Sequence, residues 1–378
     1  MKKIVIMSGE ASGDLHGANL ARELLKKESS LCLYGVGSKN MRDAGVRMLA
    51  DASDISVVGA LEVLTHVRAI YGVFSRLKKF LKQQRPDLLI LIDFPEFNIM
   101  LGKAARKLGI PILYYISPQV WAWRKGRVKT ISGLVKTMIV VLPFEKDIYE
   151  KAGLDVRYVG HPLTDVVGSA LSQAEARMQF GLDSGKRTIA LLPGSRTKEI
   201  TYLLPDMLAA AGILKGRFED LQFILPVAHT LSESFIRKFT DASRIPVTLV
   251  NGRVYDALRA SDAAIVTSGT ATLETGLMAV PMIIVYRFSN LSYLIGRMLV
   301  HVKQIGLVNI VAGKCLVPEL IQHASTPENM ADAISNILGD PAAYQKMRNE
   351  LAGIRTLLGE GGTSSRVASV VLEFLNQE

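Results

Sequence analysis

Short runs of apolar residues at 4–7, 31–36, 88–92, 110–116, 138–142, 188–192, 221–225, 247–250, 263–266 and 282–285 punctuate the sequence from end to end. Several are apolar at every position instead of alternating. A strand with one solvated face alternates; an unbroken apolar run marks a strand covered on both faces, as inside a parallel sheet. Between the runs lie stretches of helical periodicity, such as 18–25, 61–81 and 204–214. This strand–helix–strand repetition predicts an α/β fold with helices on both faces of an open sheet. Such sheets bind ligands at the carboxyl ends of their strands.

The 378 residues exceed one ordinary domain of about 100–200. A break falls at 160–172, where Gly160-His161-Pro162-Leu163-Thr164-Asp165 closes one series and a polar lead-in at 173–181 opens the next. We therefore expect an N-terminal α/β domain over residues 1–163 and a C-terminal one over 164–341. The glycines at 359–362 permit a return, so the helical segment 342–378 is expected with the N-terminal domain.

Hydrophobic residues make up 49% of the chain, and the mean hydropathy is +0.24. No uninterrupted apolar window of about 18 residues occurs, so a spanning helix is excluded. Met1-Lys2-Lys3 is a basic start, but the apolar run behind it falls short of a signal-peptide core of about 7–15 residues and reads as a first strand. Cys32 and Cys315 are the only cysteines, without paired spacing, which fits a reducing cytoplasm. The formal charge of +10 predicts an anionic partner.

Loop chemistry follows the apolar runs. After the first comes Ser8-Gly9-Glu10-Ala11-Ser12-Gly13-Asp14. Its small residues let a ligand approach the backbone, and Glu10 and Asp14 suit sugar hydroxyls. Its glycines are not spaced as GxGxxG, and an ordinary βα turn with Ser12 as N-cap accounts for the same pattern. Asp93 stands at the carboxyl end of an apolar strand, where burial raises a carboxyl's pKa toward that of a general base; a turn-capping Asp is the plainer alternative. Both tryptophans, Trp121 and Trp123, precede Arg124, Lys125 and Arg127. Their rings fit sugar stacking or a lipid interface better than nucleic acid, for which no domain pattern is present.

Two later loops look like anion cradles. Leu191-Leu192-Pro193-Gly194-Ser195-Arg196 combines a strand, a Gly-Ser turn and an Arg at a helix start. Thr267-Ser268-Gly269-Thr270-Ala271-Thr272-Leu273-Glu274 follows another strand, and Glu274 could accept both hydroxyls of a ribose. Two cradles in one domain fit a sugar nucleotide's diphosphate; plain turns, with Glu274 a routine first-turn acid, remain the alternative. The six histidines are dispersed without HxxxH spacing, and no Asp-x-Asp occurs, so no metal and no cofactor are expected. Residues 61–84 and 288–303 pair broad apolar faces with Lys and Arg, as helices resting on anionic lipid do, although burial against a sheet produces the same faces.

Together these motifs resemble the lipid-A-disaccharide synthases, bacterial glycosyltransferases of the GT-B type (family 19). The resemblance rests on residues 8–14 (SGEASGD), 58–64 (VGALEVL), 92–98 (IDFPEFN), 115–124 (YISPQVWAWR), 142–146 (LPFEK), 159–161 (VGH), 192–196 (LPGSR), 268–274 (SGTATLE) and 309–322, in the family's order. It implies two Rossmann-like domains facing a cleft. It also implies a reaction: transfer from UDP-2,3-diacylglucosamine to 2,3-diacylglucosamine 1-phosphate, giving lipid A disaccharide 1-phosphate and UDP. By motif, Asp93 becomes the catalytic carboxylate with Glu10 beside it. Ser12, Asp14, Asn98 and Trp121 become substrate contacts in the first domain. Arg196, Ser268, Gly269, Thr270, Glu274 and Asn309 become the UDP side. The implied setting is the cytoplasm, peripherally on the inner face of the inner membrane, with an anionic membrane surface as partner, no nucleic acid, and room for a homodimer. Competing readings are a UDP-GlcNAc epimerase or another UDP-sugar transferase, a non-catalytic nucleotide-responsive membrane-surface protein, and, suggested only by charge, a nucleic-acid reader.

Overall fold

The computed structural model describes residues 1–55, 60–121, 126–287 and 304–377. Residues 58 and 59 of the 58–64 motif, Trp123, Arg124, Lys125 and the 288–303 stretch lie outside the described residues, as do the side chains of 60–67. The chain forms two units, Met1–Asp165 with Leu358–Glu378, and Val166–Leu357.

In the first unit seven parallel strands run in the order β3-β2-β1-β4-β5-β6-β7. They are β1 (Lys3–Ser8), β2 (Cys32–Gly37), β3 (Arg47–Asp51), β4 (Leu88–Ile92), β5 (Ile112–Tyr115), β6 (Thr137–Val140) and β7 (Asp155–Tyr158). The second unit orders six as β10-β9-β8-β11-β12-β13. These are β8 (Arg187–Leu192), β9 (Leu221–Val227), β10 (Val247–Asn251), β11 (Ala263–Thr267), β12 (Met282–Tyr286) and β13 (Glu319–Ile321). Each sheet reverses its winding once, between β1 and β4 in one unit and between β8 and β11 in the other. The register sets Ser8 opposite Ile92 and Leu192 opposite Val266, so at each reversal two loops leave the sheet edge at the same height.

Burial explains the unbroken runs. Ile4, Val5, Ile6 and Met7 have no exposed surface. Val5, Met7, Leu89 and Leu91 pack with Leu77 and Leu81 of the Ala60–Gln84 helix and with Phe97 and Leu101 of the Pro95–Lys107 helix. In the second unit Leu203, Leu204, Met207 and Leu208 of the Thr197–Arg217 helix join Ile189, Leu191 and Ile265. The apolar-run criterion finds ten of the thirteen described strands; the three it misses, β3, β7 and β13, all lie at sheet edges. An edge strand lacks one neighbour and tolerates charge, and Arg47, Asp51, Asp155, Arg157 and Glu319 occupy these. Among the described residues no helix is long and apolar enough to cross a membrane.

The return to the first unit comes later than expected. Residues 342–357 belong to the second unit, because Leu351 is fully buried there and the Tyr344 hydroxyl donates to the Asp262 carbonyl at 3.0 Å. From Leu358 the chain rejoins the first unit. The Leu358 carbonyl accepts from His161 N at 2.8 Å. The Asp165 carboxylate then caps the Thr363–Gln377 helix, accepting from Gly362 N at 2.6 Å, Thr363 N at 3.2 Å and Ser364 N at 3.3 Å.

Candidate active site

In the first unit the loop after β1 enters the Ala11–Lys27 helix directly, with Glu10 in the N-cap position and its side chain not capping. Ser12, the cap expected from sequence, sits inside the first turn and is exposed. Gly9 is required by close approach: a Cβ there would lie 2.3 Å from the Phe94 ring. This packing ties the β1 loop to the β4 loop, where Asp93 and Phe94 both adopt left-handed backbone, at φ +43° and +45°. Each such non-glycine residue costs about 1–2 kcal/mol, a common property of residues held for function. Burial, and then the charge of Glu10, push the Asp93 carboxyl up to about 6. A carboxylate with that pKa is a competent proton acceptor near neutrality.

Asp14 and Asn98 do different work from that expected. The Asp14 carboxylate is 2% exposed and accepts from Ser38 N at 2.6 Å, Asn40 N at 3.1 Å and Met41 N at 3.2 Å. It builds the loop after β2, leaving little for sugar hydroxyls. The Asn98 amide donates to the carbonyls of Ile92 at 3.1 Å and Asp93 at 2.6 Å, so it supports the strained turn from below. Trp121 donates through its indole N–H to Glu145 at 3.3 Å and meets the Phe144 ring edge-on at 5.3 Å. Glu145 is 1% exposed, and burial pushes it up to about 8, so a largely protonated carboxyl anchors the tryptophan loop at neutral pH.

In the second unit the loops after β8 and β11 lie at the winding reversal. Gly194 (φ +116°) leads to Ser195 and Arg196, the N-cap of the Thr197–Arg217 helix. The expected cradle is filled from within: Glu199 accepts from Ser195 N at 3.0 Å and Arg196 N at 3.3 Å, and the Arg196 guanidinium lies 3.2 Å from the same carboxylate. The Arg196 side chain is nonetheless 71% exposed.

Gly269 (φ +148°) opens the Thr270–Leu277 helix and supplies no side chain to its first turn. Ser268 donates to the Ile305 carbonyl at 2.9 Å, Thr270 is exposed, and Glu274 accepts from the Tyr255 hydroxyl at 3.0 Å. Burial raises the Glu274 carboxyl above its ordinary range. Asn309 is fully buried, with its capacity spent inside the protein: it donates to Val317 O and Glu319, each at 2.8 Å, and accepts from Leu316 N at 2.8 Å and Val317 N at 3.0 Å. It shapes the 304–319 segment and has no hydrogen bond left for a nucleotide. Tyr114, Glu145, Glu199 and Tyr255 went unnoticed in sequence; of these Glu145 stands in a quoted motif, Tyr114 and Glu199 beside one, and Tyr255 in none. Among the described residues no group of three or more His, Cys, Asp or Glu is arranged to hold a metal ion.

The family model for Lipid-A-disaccharide synthetase matches residues 4–370. The chain belongs to the lipid-A-disaccharide synthase family. It is 51% identical over 377 residues to the lipid-A-disaccharide synthase of Syntrophus aciditrophicus, covering 100% of this chain and 98% of that one. To that of Geobacter sulfurreducens it is 49% identical over 376 residues, with the same coverage. As a member of this family it is a glycosyltransferase of lipid A biosynthesis, acting on a nucleotide-sugar donor and a lipid acceptor. Solved structures share its architecture of two Rossmann-like domains. The UDP-GlcNAc 2-epimerase of Neisseria meningitidis bound to UDP-GlcNAc has a TM-score of 0.67 at 14% identity, covering 99% of this chain and 100% of that one. The calicheamicin glycosyltransferase CalG4 has a TM-score of 0.63 at 13% identity, covering 100% and 99%. At such identities the likeness speaks for the fold alone, and the family assignment separates this synthase from the epimerases.

Proposed function

We propose that Asp93 is the general base of an inverting transfer from UDP-2,3-diacylglucosamine to 2,3-diacylglucosamine 1-phosphate. The observation that carries this is its position: a strand-end carboxylate in strained backbone, pushed up to about 6 by burial and by Glu10. The carboxylate takes the proton of the acceptor's 6-hydroxyl as that oxygen attacks the donor's anomeric carbon. The bond from that carbon to the diphosphate breaks, and UDP leaves with the electron pair. Arg196 and the helix N-terminus at Gly269 meet the diphosphate charge, and Glu274 takes the ribose hydroxyls.

The test is incubation with both diacylated substrates, following UDP and disaccharide. Asp93→Asn lowers turnover by about 10²–10⁴-fold while donor affinity is retained. Near-normal turnover in that variant removes Asp93 as the base.

The same reading places the enzyme on an anionic membrane surface at the cytoplasmic face of the inner membrane. A groove of about 260 Å³ between the Ala60–Gln84 and Pro95–Lys107 helices supports it. Phe74, Met100 and Leu108 form an apolar floor, and Lys78, Lys82, Lys103 and Lys107 line it without any acid. Sedimentation with anionic and with zwitterionic vesicles tests this: binding to the anionic vesicles alone, lost when the four lysines become glutamates, is expected. Equal binding to both kinds of vesicle overturns the charge argument. Ultracentrifugation of the same preparation distinguishes a monomer from the homodimer that the family resemblance allows.

A further inference from the structure

Two successive non-glycine residues in left-handed backbone, Asp93 and Phe94, persist only where the surroundings over-determine them. Here the Asp93 carbonyl oxygen is held by two side chains. It accepts from the Tyr114 hydroxyl at 2.5 Å and from Asn98 Nδ2 at 2.6 Å. Asp93 N donates to the Tyr115 carbonyl at 3.3 Å, and the Phe94 ring lies against Gly9 beside Glu10. Tyr114 stands on β5, next to β4 in the sheet, and is 1% exposed. Burial drives its hydroxyl well above the ordinary tyrosine range, so it remains a donor at any working pH.

We propose that Tyr114 is a positioning residue for the transfer reaction: its hydroxyl clamps the Asp93 carbonyl and so fixes the turn that sets the Asp93 carboxylate beside Glu10. The inference rests on the reading of Asp93 as the base. The clamp acts on the backbone of the reacting residue, not on the substrate. Its loss therefore leaves the nucleotide loops of the second unit untouched and frees the carboxylate to relax toward water.

Tyr114→Phe removes one oxygen and keeps the ring in the core. We expect kcat for disaccharide formation to fall about 10- to 100-fold, the scale of a misaimed reacting group, with the donor KM unchanged. The acid limb of the rate profile moves as well. It is set by Asp93 among Glu10, Glu96 and Tyr114, with Arg127 paired to Glu96. It should shift from about 6 toward the ordinary carboxylate range. Asn98→Ala, which removes the other arm of the clamp, should shift both quantities in the same direction. In an Asp93→Asn background, Tyr114→Phe should cause no further loss. Wild-type kcat with an unmoved acid limb in both single variants overturns the clamp. An equal loss with and without Asp93 also overturns it, because the hydroxyl would then act independently of that carboxylate. Near-normal turnover of Asp93→Asn alone sinks the base assignment itself, so the two failures are distinguishable.

Discussion

The two winding reversals share a strand order and differ in what they present. In the first unit the loops after β1 and β4 carry Glu10 and Asp93, and the left-handed positions are filled by residues with side chains, Asp93 and Phe94. In the second the loops after β8 and β11 turn at Gly194 and Gly269 and carry Arg196 at the edge. Where a side chain must be aimed, strained backbone is tolerated and held by side chains from the adjacent strand and the following helix. Where the backbone itself must meet an anion, glycine removes both the strain and the Cβ. On the function proposed above, one sheet topology serves for a proton-accepting site in one unit and an anion-binding site in the other, distinguished by a few residues per loop.

That contrast can be broken at either end. Gly269→Val forces a β-branched residue to φ +148° and should weaken the UDP-sugar complex about 30- to 100-fold in calorimetry; unchanged affinity would mean that this backbone does not touch the diphosphate. Arg196→Ala should weaken the same complex about tenfold, the scale of a charge-assisted hydrogen bond, with turnover of bound donor falling far less than in Asp93→Asn. A comparable fall in both quantities would blur the division between the units.

The division also predicts different pH behaviour. The Asp93 carboxyl is raised, so the base form is lost as pH falls through about 6. Turnover should therefore drop about fivefold between pH 6 and pH 5. Affinity for the UDP-sugar, whose diphosphate gains no proton in this range, should weaken only as far as Glu274, itself raised by burial, takes up a proton. The smallest effect concerns Glu199, which occupies the Ser195 and Arg196 N–H groups. Glu199→Gln keeps an acceptor there but removes the charge a diphosphate must displace, and should tighten donor binding about threefold. Weaker binding instead would make the carboxylate part of the cradle's support.

Much of this was legible in the chain because chemistry follows each unbroken apolar run at once: Glu10 after β1, Asp93 after β4, Arg196 after β8, Gly269 after β11. Periodicity alone locates the strand ends, and strand ends are where open parallel sheets hold ligands. What escaped depends on contacts between residues distant in sequence. Tyr114 meets Asp93 across a strand pair, and Tyr255 meets Glu274 from another helix. Asn309 and Asp14 show the reverse error. A polar residue in a motif looks ligand-facing, yet both turned out to satisfy buried backbone, and residue type does not separate those uses. The edge strands β3, β7 and β13 escaped for a simpler reason: with one flank unpaired they need no continuous apolar run.

The Thr363–Gln377 helix has a consequence for biosynthesis. It lies against the Ala11–Lys27 helix and buries Val367, Ala368 and Val371 in the first unit, held by the Asp165 cap. The second unit, Val166–Leu357, is encoded entirely between the two pieces of the first. A ribosome adding about 5–20 residues per second needs roughly 10–40 s to reach the closing helix after Asp165 has been made. Throughout that interval the face of the Ala11–Lys27 helix that this helix will cover stays open, and the later-encoded unit has its last residue, Leu357, before the closing helix begins. The half of the enzyme that is translated first is therefore the half that finishes folding last.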